Sequence, residues 1–110
     1  MIDLETITEI IATYKKHGWI VRRVLLSAKT KAKIVDALVL DDVRIVESEI
    51  DAAWFSRPPG QGRVAWEIRY LGDPPFALVE SIDENEPDLA HRLRDVERRL
   101  HESIAAKISA

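Results

Sequence analysis

Acidic side chains recur at every second position in the middle of the chain, as Glu47, Glu49 and Asp51. Successive side chains of a β-strand point to opposite faces, so a strand here places all three carboxylates on one face. We expect Glu67, in the following strand, to lie on that face as well. Carboxylates grouped in this way bind a hard cation or share a proton. The simpler interpretation is a solvated outer sheet face, neutralised by Arg69 and nearby lysines.

Two arginines, Arg57 and Arg63, flank the segment Pro58-Pro59-Gly60-Gln61-Gly62. Guanidinium groups beside glycine amides are a candidate binding site for a phosphate or a carboxylate. The segment lacks the Gly-Lys-Ser/Thr sequence of a phosphate loop and does not lead from a strand into a helix. Charged residues that bound an exposed turn are therefore the simpler interpretation.

Phe55 is the third candidate, because it falls on the predicted polar face with Ala53 and Ala65 beside it. A small apolar patch near the tip of a hairpin is a candidate contact surface for another protein. The alternative is a partly exposed aromatic ring, or one that the proline-rich loop covers. The sequence leaves these two interpretations open.

The other residue types that do chemistry are not arranged for it. His91 and His101 are ten positions apart, which separates them by about 15 Å along a helix, so they do not bind one metal ion. His17 falls at a predicted helix end, cysteine is absent, and no serine lies in a Gly-x-Ser-x-Gly sequence. The sequence predicts no catalytic residue, no metal site and no cofactor.

Composition indicates one small domain, residues 1–110, with a net charge of −3. A dedicated nucleic-acid binder has an excess of basic residues, so we expect no nucleic-acid partner. The apolar runs are far shorter than the ~20 residues that a membrane-spanning helix needs. The lack of cysteine and of a signal-peptide pattern at the N-terminus favours a cytoplasmic protein.

The elements that must position these residues start with a helix that Asp3 caps and Gly18 ends. A strand is predicted over Trp19–Leu26, with Arg22 and Arg23 on opposite faces. The segment Ala28–Leu38 fits either a short helix that Ser27 caps or a strand. We favour the helix, because its alanine, lysine and aspartate residues are poor strand formers.

A β-hairpin is predicted from Val46 to Leu71, turning at 58–62. If paired residue numbers sum to 120, Trp54 lies opposite Trp66 and Asp51 opposite Arg69. Sums of 118 or 122 preserve the same faces, so the register stays open. In each register the two tryptophans belong to the core face.

A further strand over Phe76–Ile82 and a long C-terminal helix complete the prediction. The helix carries one apolar stripe, formed by Leu89, Leu93, Val96, Leu100, Ile104 and Ile108. The stripe is long enough to extend past the sheet, so we expect Ile104 and Ile108 to pack on a second copy of the chain.

We therefore predict an α+β two-layer sandwich of order α-β-(short α)-β-β-β-α, with both terminal helices on one face of an antiparallel sheet. This order of elements resembles that of small bacterial secretion chaperones, which combine flanking helices with a twisted antiparallel sheet. The function predicted is a non-enzymatic, adaptor- or chaperone-like protein-interaction domain, a homodimer that binds another protein. The alternative is a small-molecule- or metal-binding domain, possibly an enzyme, built on Glu47, Glu49, Asp51 and Glu67.

Overall fold

The structure is a computed structural model that describes residues 3–38, 43–58 and 60–109, without the side chains of residues 108 and 109. Pro59 of the predicted turn and the side chain of Ile108 therefore lie outside the described residues. The elements are, in order, α1 (Leu4–Lys16), β1 (Ile20–Leu26), α2 (Ala28–Ile34), β2 (Arg44–Glu47), β3 (Ala52–Ser56), β4 (Arg63–Tyr70), β5 (Phe76–Asp83) and α3 (Leu89–Ser109).

The three residues predicted to begin or end the first two helices, Asp3, Gly18 and Ser27, are at those positions. The Asp3 carboxylate accepts a hydrogen bond from the Thr6 backbone N–H at 2.8 Å, which satisfies one of the free amides at the start of α1. Gly18 follows α1 with φ +88°, a conformation that glycine adopts without a steric cost. The Ser27 hydroxyl caps α2 by accepting from the Thr30 N–H, which confirms the helical interpretation of this segment.

The five strands form one sheet of order β2-β1-β3-β4-β5. All neighbouring pairs are antiparallel except β1 and β2, which run parallel. Parallel neighbours need a crossover connection, and α2 lies between these two strands in the chain. The α+β class is thus confirmed with approximately the predicted order, while the prediction of a wholly antiparallel sheet is wrong.

The hairpin is shorter than predicted and has another register. Val46 belongs to β2, and the hairpin consists of β3 and β4 alone, with Ala52 opposite Tyr70. Trp54 therefore lies opposite Ile68, so paired residue numbers sum to 122. Trp54 and Trp66 still share a face, where their ring centroids are 6.1 Å apart in an edge-on arrangement. The faces were predictable because side chains alternate, but the register was not.

The terminal helices lie on opposite faces of the sheet, which corrects the predicted two-layer arrangement. Phe55 stacks against Tyr14 of α1, whereas its neighbour Trp54 donates a hydrogen bond to Glu97 of α3 at 2.6 Å. Adjacent residues of a strand point to opposite faces, so α1 and α3 enclose β3 between them. The physical reason is that β3 is apolar on both faces and all five of its residues are buried.

Each face of the sheet has its own apolar cluster. The α1-side cluster comprises Ile7, Ile11, Val21, Val24, Leu26, Ile34, Leu38, Ala53, Phe55 and Leu71. The α3-side cluster comprises Leu25, Ile50, Ala52, Trp54, Trp66, Ile68, Ile82, Leu93, Val96, Leu100 and Ile104. Ile104 is only 3% exposed. It packs within its own chain, which removes the basis given for a dimer contact at this residue.

Candidate functional site

The acidic residues that the sequence singled out lie in separate places. The Asp51 carboxylate sits at the start of α2, where it accepts hydrogen bonds from the Ser27 N–H at 2.8 Å and from the Thr30 hydroxyl at 3.1 Å. Glu49 is highly exposed and lies 3.4 Å from Nδ1 of His101 in α3. Glu47 ends β2 and is exposed. The structure therefore does not bring these carboxylates together.

Glu67 and Phe55 belong to a packed contact beneath α1. The Tyr14 hydroxyl donates a hydrogen bond to the Glu67 carboxylate, and the Tyr14 ring stacks on Phe55 with centroids 4.0 Å apart. Burial raises the pKa of the Tyr14 phenol well above its usual value, and the bond to Glu67 raises it further. Phe55 is 0% exposed. It is a core residue packed against Tyr14, so Phe55 does not form the exposed contact patch that was one of the two interpretations left open.

The two arginines beside the turn point away from each other. The Arg57 guanidinium lies 4.6 Å from the ring centroid of Trp19. Arg63 reaches across to β5, where its Nη2 donates to the Ser81 carbonyl at 2.7 Å and its Nε donates to the Ser81 hydroxyl at 2.9 Å. The two guanidinium groups do not converge on the turn, so the geometry of the predicted anion site is absent.

A cleft of about 470 Å³ lies between α1 and the end of β4, and its charged side chains are Asp51, Arg69 and Asp73. Asp51 accepts a hydrogen bond from the Ser27 N–H at the start of α2, and Arg69 donates to the Tyr70 carbonyl. The chemistry of this cleft therefore does not single out a substrate. In the described part of the chain, no three histidine or acidic side chains are grouped as a possible metal site.

The two edge strands of the sheet, β2 and β5, differ in length and in the charged residues that protect them. Natural sheets protect a free edge with a short strand, charged side chains, proline or a bulge. The β2 edge has such protection, since it is four residues long and begins and ends with the charged residues Arg44 and Glu47. The β5 edge is eight residues long and contains neither proline nor a basic residue. Its central charge, Glu80, is ion-paired with Arg99 of α3.

The hydrogen-bonding pattern shows which groups β5 leaves open. The Glu84 N–H donates to the Gly62 carbonyl at 2.9 Å, and this pair continues the β4–β5 register, in which Val64 lies opposite Ile82. Hydrogen-bonded pairs alternate in an antiparallel ladder, so the even-numbered residues of β5 bond to β4. The N–H and C=O groups of Ala77, Val79 and Ser81 therefore point away from the sheet, and among these groups the Ser81 carbonyl is occupied by the hydrogen bond from Arg63.

Val79 marks the centre of this free edge. Its side chain is 60% exposed, the highest value among the large apolar residues found exposed. It lies on the α1 side of the sheet, opposite Glu67 of β4. Because α1 packs on β1 and not on β5, the helix leaves Val79 exposed. The strand was predictable from the sequence, but its position at a free edge of the sheet was not. The feature that could have indicated such an edge is a long strand with one charged residue, Glu80, in its interior.

No helix in the described part of the chain is both long and apolar enough to cross a membrane. Comparison with protein-family models, with curated proteins and with solved structures gives no significant match.

Proposed function

We propose that the chain is a non-enzymatic, adaptor- or chaperone-like protein-interaction domain that works in the cytoplasm as a homodimer joined through β5. The observation that carries the proposal is the eight-residue β5 edge, which has an exposed Val79 at its centre and is covered by a side chain only at Ser81, where Arg63 bonds to it, among the described residues. Addition of an extended strand to such an edge satisfies its open backbone groups and provides affinity through main-chain hydrogen bonds.

A second copy of the chain is the occupant that best fits this edge. In an antiparallel pair centred on Val79, each Val79 faces its counterpart, and Phe76 faces Ile82 of the other copy. Glu80 then faces Leu78 of the other copy. A pair centred on Glu80 instead places two carboxylates directly opposite, which is destabilising. The Val79-centred register also keeps both α3 helices on the same side of the joined sheets.

The experiment that tests this proposal is Val79→Lys, because an inserted lysine is the natural protection of a sheet edge. We expect the purified protein to have about twice the 12.5 kDa mass of the chain by light scattering. The variant is expected to have the monomer mass and an unchanged circular dichroism spectrum, because Val79 is exposed and outside both clusters.

The matched control is Ile20→Lys. Among the described residues, Ile20 is the other exposed large apolar residue, at 44%, and it lies in β1, away from the β5 edge. The control is expected to remain a dimer. A monomeric wild-type chain, or a Val79→Lys variant that stays dimeric, contradicts the proposal.

A further inference from the structure

The side chain of Arg63 reaches across β5 to the free edge that the proposed dimer uses. Val64 and Ile82 face the α3-side cluster. Arg63 and Ser81, one position away in each strand, therefore have their side chains on the α1 side. The Arg63 Nε donates to the Ser81 hydroxyl at 2.9 Å, and its Nη2 donates to the Ser81 carbonyl at 2.7 Å. Since this carbonyl points away from β4, the guanidinium ends beside the open edge.

The turn that precedes β4 fixes the point from which this side chain starts. Gln61 and Gly62 have φ values of +54° and +78°, as in the two-residue type I′ turns that join hairpin strands. The backbones of Gly60 and Arg63 exchange two hydrogen bonds, of 2.9 and 3.1 Å, which close the turn. Arg63 is therefore held by its own backbone at the start of β4, within reach of Ser81.

The Ser81 carbonyl is one of the groups that an added strand needs. In the antiparallel pair centred on Val79, Ser81 faces Ala77 of the other copy. Because Val79 and Ser81 are two positions apart, both belong to hydrogen-bonded pairs of that ladder. The Ala77 N–H of the other copy is then the donor to the Ser81 carbonyl, which already accepts from Arg63. A charged donor forms the stronger hydrogen bond, so pairing requires the release of Arg63 in each copy.

We infer that Arg63 is an autoinhibitory latch on the β5 edge, which weakens strand addition by occupying the Ser81 carbonyl. The inference rests on the proposed function, because it concerns the regulation of the same edge. With the latch closed, the edge still offers the N–H and C=O groups of Ala77 and Val79. The latch limits uncontrolled pairing of a long edge strand, which other sheets prevent with proline or inserted charges.

The test is Arg63→Ala, which removes both hydrogen bonds to Ser81 and leaves the carbonyl free. Sedimentation equilibrium over a range of protein concentrations gives the Kd of the dimer. Because one dimer opens two latches, we expect the variant to dimerise about tenfold more tightly than the wild-type chain. Arg57→Ala is the matched control, because it removes the same charge on the other side of the turn, where the guanidinium lies over the Trp19 ring. It is expected to leave the Kd unchanged.

Ser81→Ala examines the latch from the other end. It removes the hydrogen bond to Nε and keeps the one from Nη2 to the carbonyl. We expect it to tighten the dimer by a smaller factor than Arg63→Ala, and to have no effect once Arg63 is already alanine. An equal effect of Ser81→Ala in both backgrounds overturns the latch, because the serine then acts without the arginine.

Arg63→Ala combined with Val79→Lys distinguishes failure of the latch from failure of the proposed dimer. If the wild-type chain is a Val79-dependent dimer and Arg63→Ala does not tighten it, the latch is overturned and the dimer stands. If the wild-type chain is a monomer, Arg63→Ala a dimer and the double variant a monomer, the latch stands and the wild-type homodimer is overturned. If no dimer depends on Val79, both are overturned.

Discussion

At the scale of single residues, two carboxylates that the sequence marked as candidate ligands stabilise the fold instead. Asp51 was a candidate cation ligand and instead accepts hydrogen bonds from Ser27 and Thr30 at the start of α2. Glu67 was a candidate on an outer face and is the acceptor for Tyr14 beneath α1. A buried donor left without its acceptor is costly, so both carboxylates have a structural role that their spacing in sequence does not reveal.

The two tyrosines of the chain are predicted to titrate above the ordinary value of 10. Burial is the main cause for both phenols, with Glu67 adding to it at Tyr14 and Asp51 adding to it at Tyr70. Because the folded pKa values are raised, stability is fully present below pH 10 and falls as the pH rises above it. The absorbance of tyrosinate in a pH titration measures the pKa values of the two phenols directly.

Tyr14→Phe provides the control for the titration. It is expected to remove the phenol that ionises at the higher pH and to leave Tyr70 as the single tyrosine that titrates. A wild-type titration in which both phenols ionise near pH 10 contradicts the packing of Tyr14 against Glu67.

At the scale of elements, a β-bulge in β1 decides which face carries Arg22. Val21 pairs with Phe55 and Arg23 pairs with Trp54, so Arg22 is an extra residue, and its guanidinium lies 5.6 Å from the ring centroid of Trp66 on the α3 side. The prediction that Arg22 and Arg23 lie on opposite faces is therefore wrong. Without Arg22, Val21 and Arg23 form consecutive positions of a regular strand opposite Phe55 and Trp54. Val21 then keeps its place in the α1-side cluster, and Arg23 keeps its place near Glu97. The bulge therefore adds an arginine to the α3 side without moving the core residues on either side of it.

Deletion of Arg22 is predicted to leave the fold intact. The expected loss is the contact with Trp66, worth about 1 kcal/mol or less for an exposed cation–π pair. Urea denaturation followed by circular dichroism measures the change. Deletion of Val24, a fully buried residue of the same strand, is the contrasting control, because it shifts every preceding residue to the other face. Similar, large losses for both deletions contradict the assignment of Arg22 as the bulge residue.

At the scale of the whole molecule, β3 joins the two clusters into one structure. Ala53 and Phe55 belong to the α1-side cluster, and Ala52 and Trp54 belong to the α3-side cluster. Loss of either cluster exposes one face of this strand. We therefore expect the two layers of helices to unfold together rather than independently.

Leu100→Ala on α3 and Ile7→Ala on α1 test this coupling, because both side chains are 0% exposed. Each is predicted to lower the free energy of unfolding by about 2–5 kcal/mol within a single transition. Circular dichroism and tryptophan fluorescence should give coincident urea curves at one fixed protein concentration. Ile20→Ala, at an exposed site, is expected to change stability by about 0.5 kcal/mol or less. Separate transitions for the two probes contradict the coupling.

The sequence by itself determined the elements whose causes are local. Asp3 and Gly18 act within one helical turn of their own positions, so α1 was predictable from its cap and its stop. For α2 the sequence left a strand open, and the helix was favoured because alanine, lysine and aspartate are poor strand formers. Alternation likewise identified the shared face of Trp54 and Trp66, because strand geometry requires it. The apolar stripe of α3 was predictable in the same way, from its helical period.

The tertiary structure alone decided everything that depends on which elements meet. The break between Val46 and Ala52, the parallel pairing of β1 with β2 and the register of the hairpin each depend on partners distant in sequence. The helices lie on opposite faces because β3 is apolar on both, a property readable only once its neighbours are known. The free β5 edge follows from strand order, and the face that carries Arg22 follows from a bulge in β1, neither of which a local preference specifies.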